Sequence, residues 1–256
     1  MKFNTNSNVY IIIYSVVMVV VVAVLLTLAA VGLKDRQDAN ILNEKKTQIV
    51  KALGEGTKEY KDVVAESVLL DANGSVVESV EEKVFAALQD VKGSREAGKF
   101  PLFKAKDGSV VVPLYGKGLW GPIWGYIALD KDMNTVKGIV LDHQGETPGL
   151  GAEIATDKHQ AMYKGKSIFQ GEDLVGVTLK KGGAGKDNLH EVDAITGGTK
   201  TSDGVSAMIK DCLESYKPYF TAVKPQEAPA EATATVEVEA PAEVKSNEVN
   251  TENNGK

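Results

Sequence analysis

The apolar positions of this chain change spacing several times, and each change marks a different element. The first run has no polar interruption long enough to define a face. "VYIIIYSVVMVVVVAVLLTLAAVGL" extends from Val9 to Leu33, with no charge between Lys2 and Lys34. As a helix it is about 37 Å long at about 1.5 Å per residue, enough to cross a bilayer with some tilt. The spacing predicts a single N-terminal transmembrane anchor over residues 1–34. A cleaved signal peptide is the competing reading, since Ala30-Val31-Gly32 offers small residues at a cleavage-like spacing. Its apolar core is usually only about 7 to 15 residues long, behind a more basic front than Lys2 alone, so the anchor is preferred.

Beyond Lys34 the apolar residues spread out. Ile41, Leu42, Ile49, Val50 and Leu53 recur at helical spacing and stop at Gly54, which predicts a helix leaving the membrane. Four runs then read as strands bounded by Gly, Pro, Asp or Asn: "SVVVPLYG", "LWGPIWGYIALD", "TVKGIVLD" and "LVGVTLKK". "TDKHQAMYKGK" reads as a short helix between them. In "SDGVSAMIKDCLESYKPYF", Val205, Met208, Ile209, Cys212, Leu213 and Tyr216 fall on one helical face. Cys212 is expected there as a small core residue. Strands mixed with flanking helices, without regular βαβ alternation or internal repeat, predict one α+β domain over residues 35–222. Residues 223–256 are rich in Ala, Pro, Glu and Asn and lack aromatics, so they are expected to form a disordered acidic tail with no specific task.

Composition narrows the function. Charged residues make up 25% and hydrophobic residues 43% of the 256 positions, a foldable balance. The formal net charge of -6, with no block of Lys or Arg, argues against a nucleic-acid partner. One cysteine excludes an intrachain disulfide framework and an all-cysteine metal cluster. His143, His159 and His190 are scattered. His143 and Glu146 lack a third ligand at useful spacing, so structural or cofactor-adjacent roles are expected rather than metal binding. Trp120, Trp124 and Tyr126 have two readings, neighbours of a flavin or quinone or core residues of a strand; aromatics in a strand-like run are usually core, and they are expected there. No triad, metal site or carboxylate pair stands out, and no catalytic residue is assigned.

The candidate chemistry is concentrated in "DAITGGTKTSDGV", residues 193–205. Neither this stretch nor "GGAGKDN" has the Gly-x-x-x-x-Gly-Lys-Ser/Thr spacing of a phosphate-binding loop, and no dinucleotide fingerprint is present. Two readings remain. One is a strand-to-helix turn with Thr201 or Ser202 as N-cap and Asp203 favouring the positive helix end. The other is an anion held on Thr199, facing the free N–H groups of that helix, with Gly197 and Gly198 leaving the hydroxyl accessible. A second glycine-bearing loop, Glu146-Thr147-Pro148-Gly149-Leu150-Gly151, carries a Pro-Gly tight turn. Gly149 and Gly151 would let main chain approach a flat ligand, with Leu150 over its ring.

"DAITGGTKT" resembles the flavinylation motif Asp-x-x-Ser/Thr-Gly-Ala-Thr-x-Thr. On that resemblance Asp193 is the acidic residue, Thr196 and Gly197 begin the core, Thr199 is the FMN acceptor and Thr201 ends the motif; Gly198 stands where alanine is usual. The motif, rather than the bare sequence, separates Thr199 from Thr196 and Thr201 as acceptor. "GLWGPIWGYIALDKDMNTVKGIVLDHQGETPGLGAEI", residues 118–154, is similar to the core of the NqrC family of the Na⁺-translocating NADH:quinone reductase. The resemblance implies an FMN joined to Thr199 by a phosphoester, installed by an ApbE-type flavin transferase, and an electron relay among the other subunits of a heteromeric membrane complex. That complex carries electrons from NADH to a quinone while exporting Na⁺; a single anchor offers no ion pathway of its own, so Na⁺ is expected to cross through other subunits. The resemblance also implies an inner-membrane protein with its main domain on the periplasmic side. Lys34, Arg36, Lys45 and Lys46 oppose that orientation under the positive-inside rule, which long translocated domains weaken. The rivals are the RnfG family of the Rnf electron-transport complex, also FMN carriers, and a flavin-free membrane-anchored interaction module.

Overall fold

The computed structural model describes residues 7–185 and 187–223; the acidic segment from residue 224 onward lies outside the described residues. Helix α1, Asn8–Ala52, is one continuous element of 45 residues. The apolar run and the helix expected after it are therefore fused, because no Gly or Pro interrupts residues 33–53. Its first part has a mean hydropathy of 3.1 over its most apolar window and buries none of that window, long and apolar enough to cross a membrane. Its last turn instead packs into the domain through Ile49, Val50 and Ala52. The helix stops as its sequence predicts, at Gly54 with φ +78°, whose amide is bonded to the Lys51 carbonyl.

The chain continues through α2 (Tyr60–Val63), β1 (Val64–Leu70), β2 (Val76–Glu78), α3 (Glu81–Ala87), α4 (Val91–Glu96), β3 (Phe100–Ala105), β4 (Val110–Lys117), β5 (Pro122–Leu129) and β6 (Val136–His143). These strands form one antiparallel sheet in the order β2-β1-β3-β4-β5-β6. A 3-10 turn at Gly151–Ala155 follows, then α5 (Asp157–Gln160), the short strands β7 (Phe169–Gln170), β8 (Asp173–Leu174), β9 (Thr178–Lys180) and β10 (Glu191–Asp193), and finally α6 (Thr199–Glu214) and α7 (Lys217–Val223). The domain is α+β, as its sequence predicts.

Both sheet faces are covered. Leu102, Val112 and Ile127 meet Val205, Ile209 and Leu213 of α6 on one side. Phe103, Val111 and Tyr126 meet Ile49 and Leu53 of the α1 terminus and Phe85 of α3 on the other. Strands buried on both faces read as near-continuous apolar runs, which is why "SVVVPLYG" is so legible. The close fit of α1 is visible at Gly138, where a Cβ would come within 2.5 Å of the Ala52 carbonyl oxygen. One expected strand is different: "LVGVTLKK" contributes only Thr178–Lys180 to β9 and Leu174 to β8. Gly176, at φ +70°, bends the backbone between them.

Candidate functional site

Three segments distant in sequence converge on one buried carboxylate. Glu146 is only 4% exposed. Its Oε1 accepts the Trp120 amide at 2.9 Å and its Oε2 accepts the Thr201 hydroxyl at 2.6 Å. The amides of Gly121 and Leu119 are also directed at it. The groups that hold this charge are hydrogen-bond donors rather than a cation. Burial alone would raise its pKa, but the hydrogen bonds from Thr201 and the 119–121 backbone outweigh burial and hold the carboxyl below its ordinary value. The pocket exists because two side chains are missing. A Cβ on Gly118 would collide with Oε1, and one on Gly151 would collide with Oε2 and lie 2.6 Å from the Thr201 hydroxyl. Gly151 therefore makes room for Glu146 and Thr201, a tighter constraint than the ligand approach expected of it.

The Glu146–Gly151 loop forms the tight turn that its Pro-Gly pair predicts. The Leu150 amide bonds to the Thr147 carbonyl at 3.1 Å, and Gly149 takes φ +75° at the third position. Thr147 and Leu150 are exposed. The glycine-threonine stretch makes a matching turn: the Gly198 amide bonds to the Ile195 carbonyl at 3.0 Å, with Gly197 at φ +74°. A Cβ on Gly197 would sit 2.6 Å from Leu150 Cδ2, so the two turns touch there.

Helix α6 begins earlier than a Thr201 or Ser202 cap requires. Its N-cap is Gly198 and its first residue is Thr199. Thr201 and Ser202 lie inside the first turn with their hydroxyls already committed. Thr201 donates to Glu146, while Ser202 donates to the Gly198 carbonyl at 2.9 Å and accepts the Ile195 amide at 3.0 Å. Ser202 thus clasps the turn to the helix, and no feature of its sequence position announces this. Thr199, by contrast, is exposed beside the N–H groups that precede the first intrahelical bond. Thr196 is exposed in the turn, and Asp203 lies beyond the first-turn positions that would favour an acid.

Asp193 ends β10 and accepts the Ala184 amide at 2.7 Å, so its contact secures a neighbouring loop. Tyr126 is buried as expected and Trp124 is half-buried, but the core placement expected of Trp120 is wrong: this ring is 69% exposed. Leu119 beside it is 50% exposed. Both ride the β4–β5 turn, closed by the Gly118 amide to the Gly121 carbonyl at 2.8 Å. The flanking glycines are the sequence signal for that turn, and they place the aromatic outside the strand. Among the described residues no group of three or more His, Cys, Asp or Glu side chains is arranged to hold a metal.

An antiparallel sheet packed against a helix that starts at an exposed threonine, with exposed apolar side chains close by, makes an α+β domain with a candidate ligand-bearing edge. Residues 118–214 match the family model described as the FMN-binding domain, a span that starts at Gly118 and ends with α6. The chain belongs to the NqrC family of the Na(+)-translocating NADH-quinone reductase. It is 33% identical over 219 residues to the family member from Vibrio campbellii, covering 72% of this chain and 82% of the relative. It is 30% identical over 210 residues to that from Vibrio vulnificus, with the same coverage. The crystal structure of the family member from Parabacteroides distasonis superposes with a TM-score of 0.67 at 37% identity, covering 74% of this chain and 97% of the other. With α1 added, the protein is a membrane-anchored, FMN-binding subunit of a multi-subunit redox complex.

Proposed function

We propose that Thr199 carries the FMN through a phosphoester on its Oγ and that the chain relays electrons between the redox subunits of an Na⁺-exporting NADH:quinone reductase. The observation that carries this reading is the contrast between two neighbouring hydroxyls. Thr201 is 1% exposed and bonded to Glu146, whereas Thr199 is exposed at the first position of a helix of 16 residues. Only one of them is free to be esterified.

The residues present fit such a group. A phosphate on Thr199 would lie where the α6 dipole and the amides of Thr199, Lys200 and Thr201 favour negative charge. Gly197 and Gly198 present no side chain beside the hydroxyl. Leu119, Trp120 and Leu150 offer exposed apolar surface suited to an aromatic ring system. Glu146 fixes the 119–121 turn and the α6 start relative to one another, so that surface and acceptor share one rigid support. When bound, FMN supplies the electron-carrying chemistry. The chain's own task is to bind, orient and leave the ring accessible to donor and acceptor.

Esterification forms the Thr199 Oγ–phosphorus bond while the hydroxyl O–H and the pyrophosphate P–O bond of a flavin dinucleotide donor break; a nucleoside monophosphate and the proton leave, and the flavin's redox state is unchanged. An ApbE-type flavin transferase is the expected catalyst; the resemblance implies that this enzyme and the flavinylated domain both lie outside the cytoplasmic membrane, which supports a periplasmic domain despite the basic residues after Leu33. Asp193 and Thr196 are motif residues that such an enzyme would read.

The test is flavin fluorescence of the fully denatured protein taken from its native membrane, with peptide mass mapping, for the wild type and Thr199→Ala. Fluorescence that survives denaturation and disappears in the variant supports the reading. A native band without flavin would leave the stretch as a capped turn. A reporter fused at residue 60 that is active only in the cytoplasm would overturn the orientation.

A further inference from the structure

Beside the β4–β5 turn lies a cleft of about 480 Å³ whose lining includes Lys92, Arg95 and Lys117, with Tyr115, Gly121 and Pro122. Three cations share it and no acid lines it, in a chain whose formal net charge is -6. The Arg95 guanidinium is held in place without being neutralised. It donates to the Asp211 carbonyl at 2.6 Å, the Ser215 hydroxyl at 3.1 Å and the Cys212 sulfur at 3.3 Å, all uncharged acceptors. Neither Arg95 nor Lys117 pairs with a carboxylate among the described residues, and Lys92 reaches Glu96 only at 3.7 Å between two well-exposed side chains. Exposed pairs of that kind contribute little, so Lys92 is free to take another partner.

Tyr115, 37% exposed, and Pro122 add apolar surface to the same lining. An exposed aromatic within an uncompensated basic cleft has the composition of an interface: an aromatic anchor with a charged rim. Isolated phosphate would need only the cations, whereas a protein surface covers the aromatic as well. We propose that this cleft docks a carboxylate-bearing surface of a protein partner in the same complex, bringing that partner to the flavin-bearing edge of the domain. The proposal rests on the reading of Thr199 as the flavin site. Opposite rim charges accelerate encounter and fix orientation, and both effects weaken with salt.

The experiment uses the assembled complex in its native membrane. A zero-length carbodiimide reagent joins lysine amines to nearby carboxylates, and mass mapping then identifies the linked residues. Lys92 and Lys117 are expected to join acidic residues of another subunit, and the yield to fall roughly tenfold at high salt. The Lys92→Glu/Lys117→Glu double variant, whose changed side chains are exposed, is expected to lose NADH-to-quinone turnover by roughly tenfold at low salt. Its denaturation-resistant flavin fluorescence should remain that of the wild type. Linkage at other lysines of the chain but not at these two, or unchanged turnover, overturns the proposal. Saturable binding of inorganic phosphate that the double variant loses would also overturn it, by assigning the cleft to a small anion. Loss of flavin from the wild type would instead defeat the Thr199 reading, independently of where the cross-links fall.

Discussion

Thr201 and Glu146, 55 residues apart in sequence, are joined by a buried hydrogen bond of 2.6 Å that ties the start of α6 to the loop after β6. Thr201→Val keeps the shape and removes the donor, leaving one oxygen of a buried carboxylate short of a partner. The expected loss is about 1–3 kcal/mol of stability in a denaturant titration, with Thr201→Ser largely restoring it. The flavin content of native protein should fall with the valine variant, because the acceptor turn loses its support. A valine variant with wild-type stability would show that water replaces the hydroxyl without cost.

Acid should weaken the fold through two groups of opposite charge type. Glu146 has its folded pKa below the ordinary value, so from that value downward the unfolded chain takes up a proton first and stability declines. His159 is 3% exposed, contacts Tyr163 Oη at 3.2 Å, and is lowered to about 4 by burial, against a smaller opposing pull from Asp193. Its stabilising neutral form is fully retained above pH 6.5. Between about 6.5 and 4 the unfolded chain is the better proton acceptor, which removes on the order of 3 kcal/mol as pH falls. Denaturant midpoints measured from pH 7.5 to 4.5 should decline, and His159→Gln should flatten the upper part of that decline. A parallel decline in the variant would remove His159 from the explanation.

Cys212 does more than fill space. β4 pairs with β3 only at Val110 and Val111, so the later part of that edge lacks a neighbouring strand. The Cys212 thiol closes it by accepting the Tyr115 amide at 3.4 Å and donating to the Tyr115 carbonyl at 3.5 Å. Burial raises the thiol's pKa, with Arg95 opposing the effect. Alkylating reagents should therefore react with the folded protein only as fast as it opens. Cys212→Ala should cost about 1–3 kcal/mol in thermal or denaturant melts, since it leaves both Tyr115 backbone groups without their sulfur partner.

The elements legible from sequence are those whose pattern answers to a single constraint. The Val9–Leu33 run, the strands β4 to β6 and the apolar face of α6 all obey one burial rule along their length. β1 and β3 are not legible in that way, because "VAESVLL" breaks alternation with a buried serine, Ser67, bonded to Tyr60, while "FPLFKA" carries a proline. The site is readable as motifs, but its centre is not. Glu146 stands out only as a loop acid, because what makes it central is the convergence of Trp120 and Thr201 from both sides in sequence. Local helix-cap rules likewise favour Thr201 or Ser202, yet a tertiary bond to Glu146 and a clasp on Ile195 claim those hydroxyls and leave Gly198 as the cap.

The two glycines before Thr199 look alike in sequence and should respond differently to alanine. Gly197 sits at φ +74°, where an L side chain costs roughly 1–2 kcal/mol, and its Cβ would press on Leu150. Gly198 has φ -110°, an ordinary value, and its Cβ would meet Ile195 Cγ2 at 2.9 Å, Ile195 Cβ at 3.1 Å and the Gly151 amide at 3.3 Å. Ile195 is β-branched, and rotating its side chain leaves the Cβ contact, so the turn itself must give by a few tenths of an ångström; alanine restricts the unfolded chain, a gain of about 0.4–1 kcal/mol that offsets part of that crowding. Gly198→Ala, which restores the alanine usual in the flavinylation motif, should therefore leave stability within about 1 kcal/mol and retain the flavin. Gly197→Ala should lower the melting temperature and reduce the flavin recovered per chain, because moving Leu150 or the turn disturbs both sides of the acceptor. Paired melts and flavin-to-protein ratios from native membranes decide the matter: equal losses in the two variants would show that backbone flexibility, rather than the left-handed turn at Gly197, is what the acceptor requires.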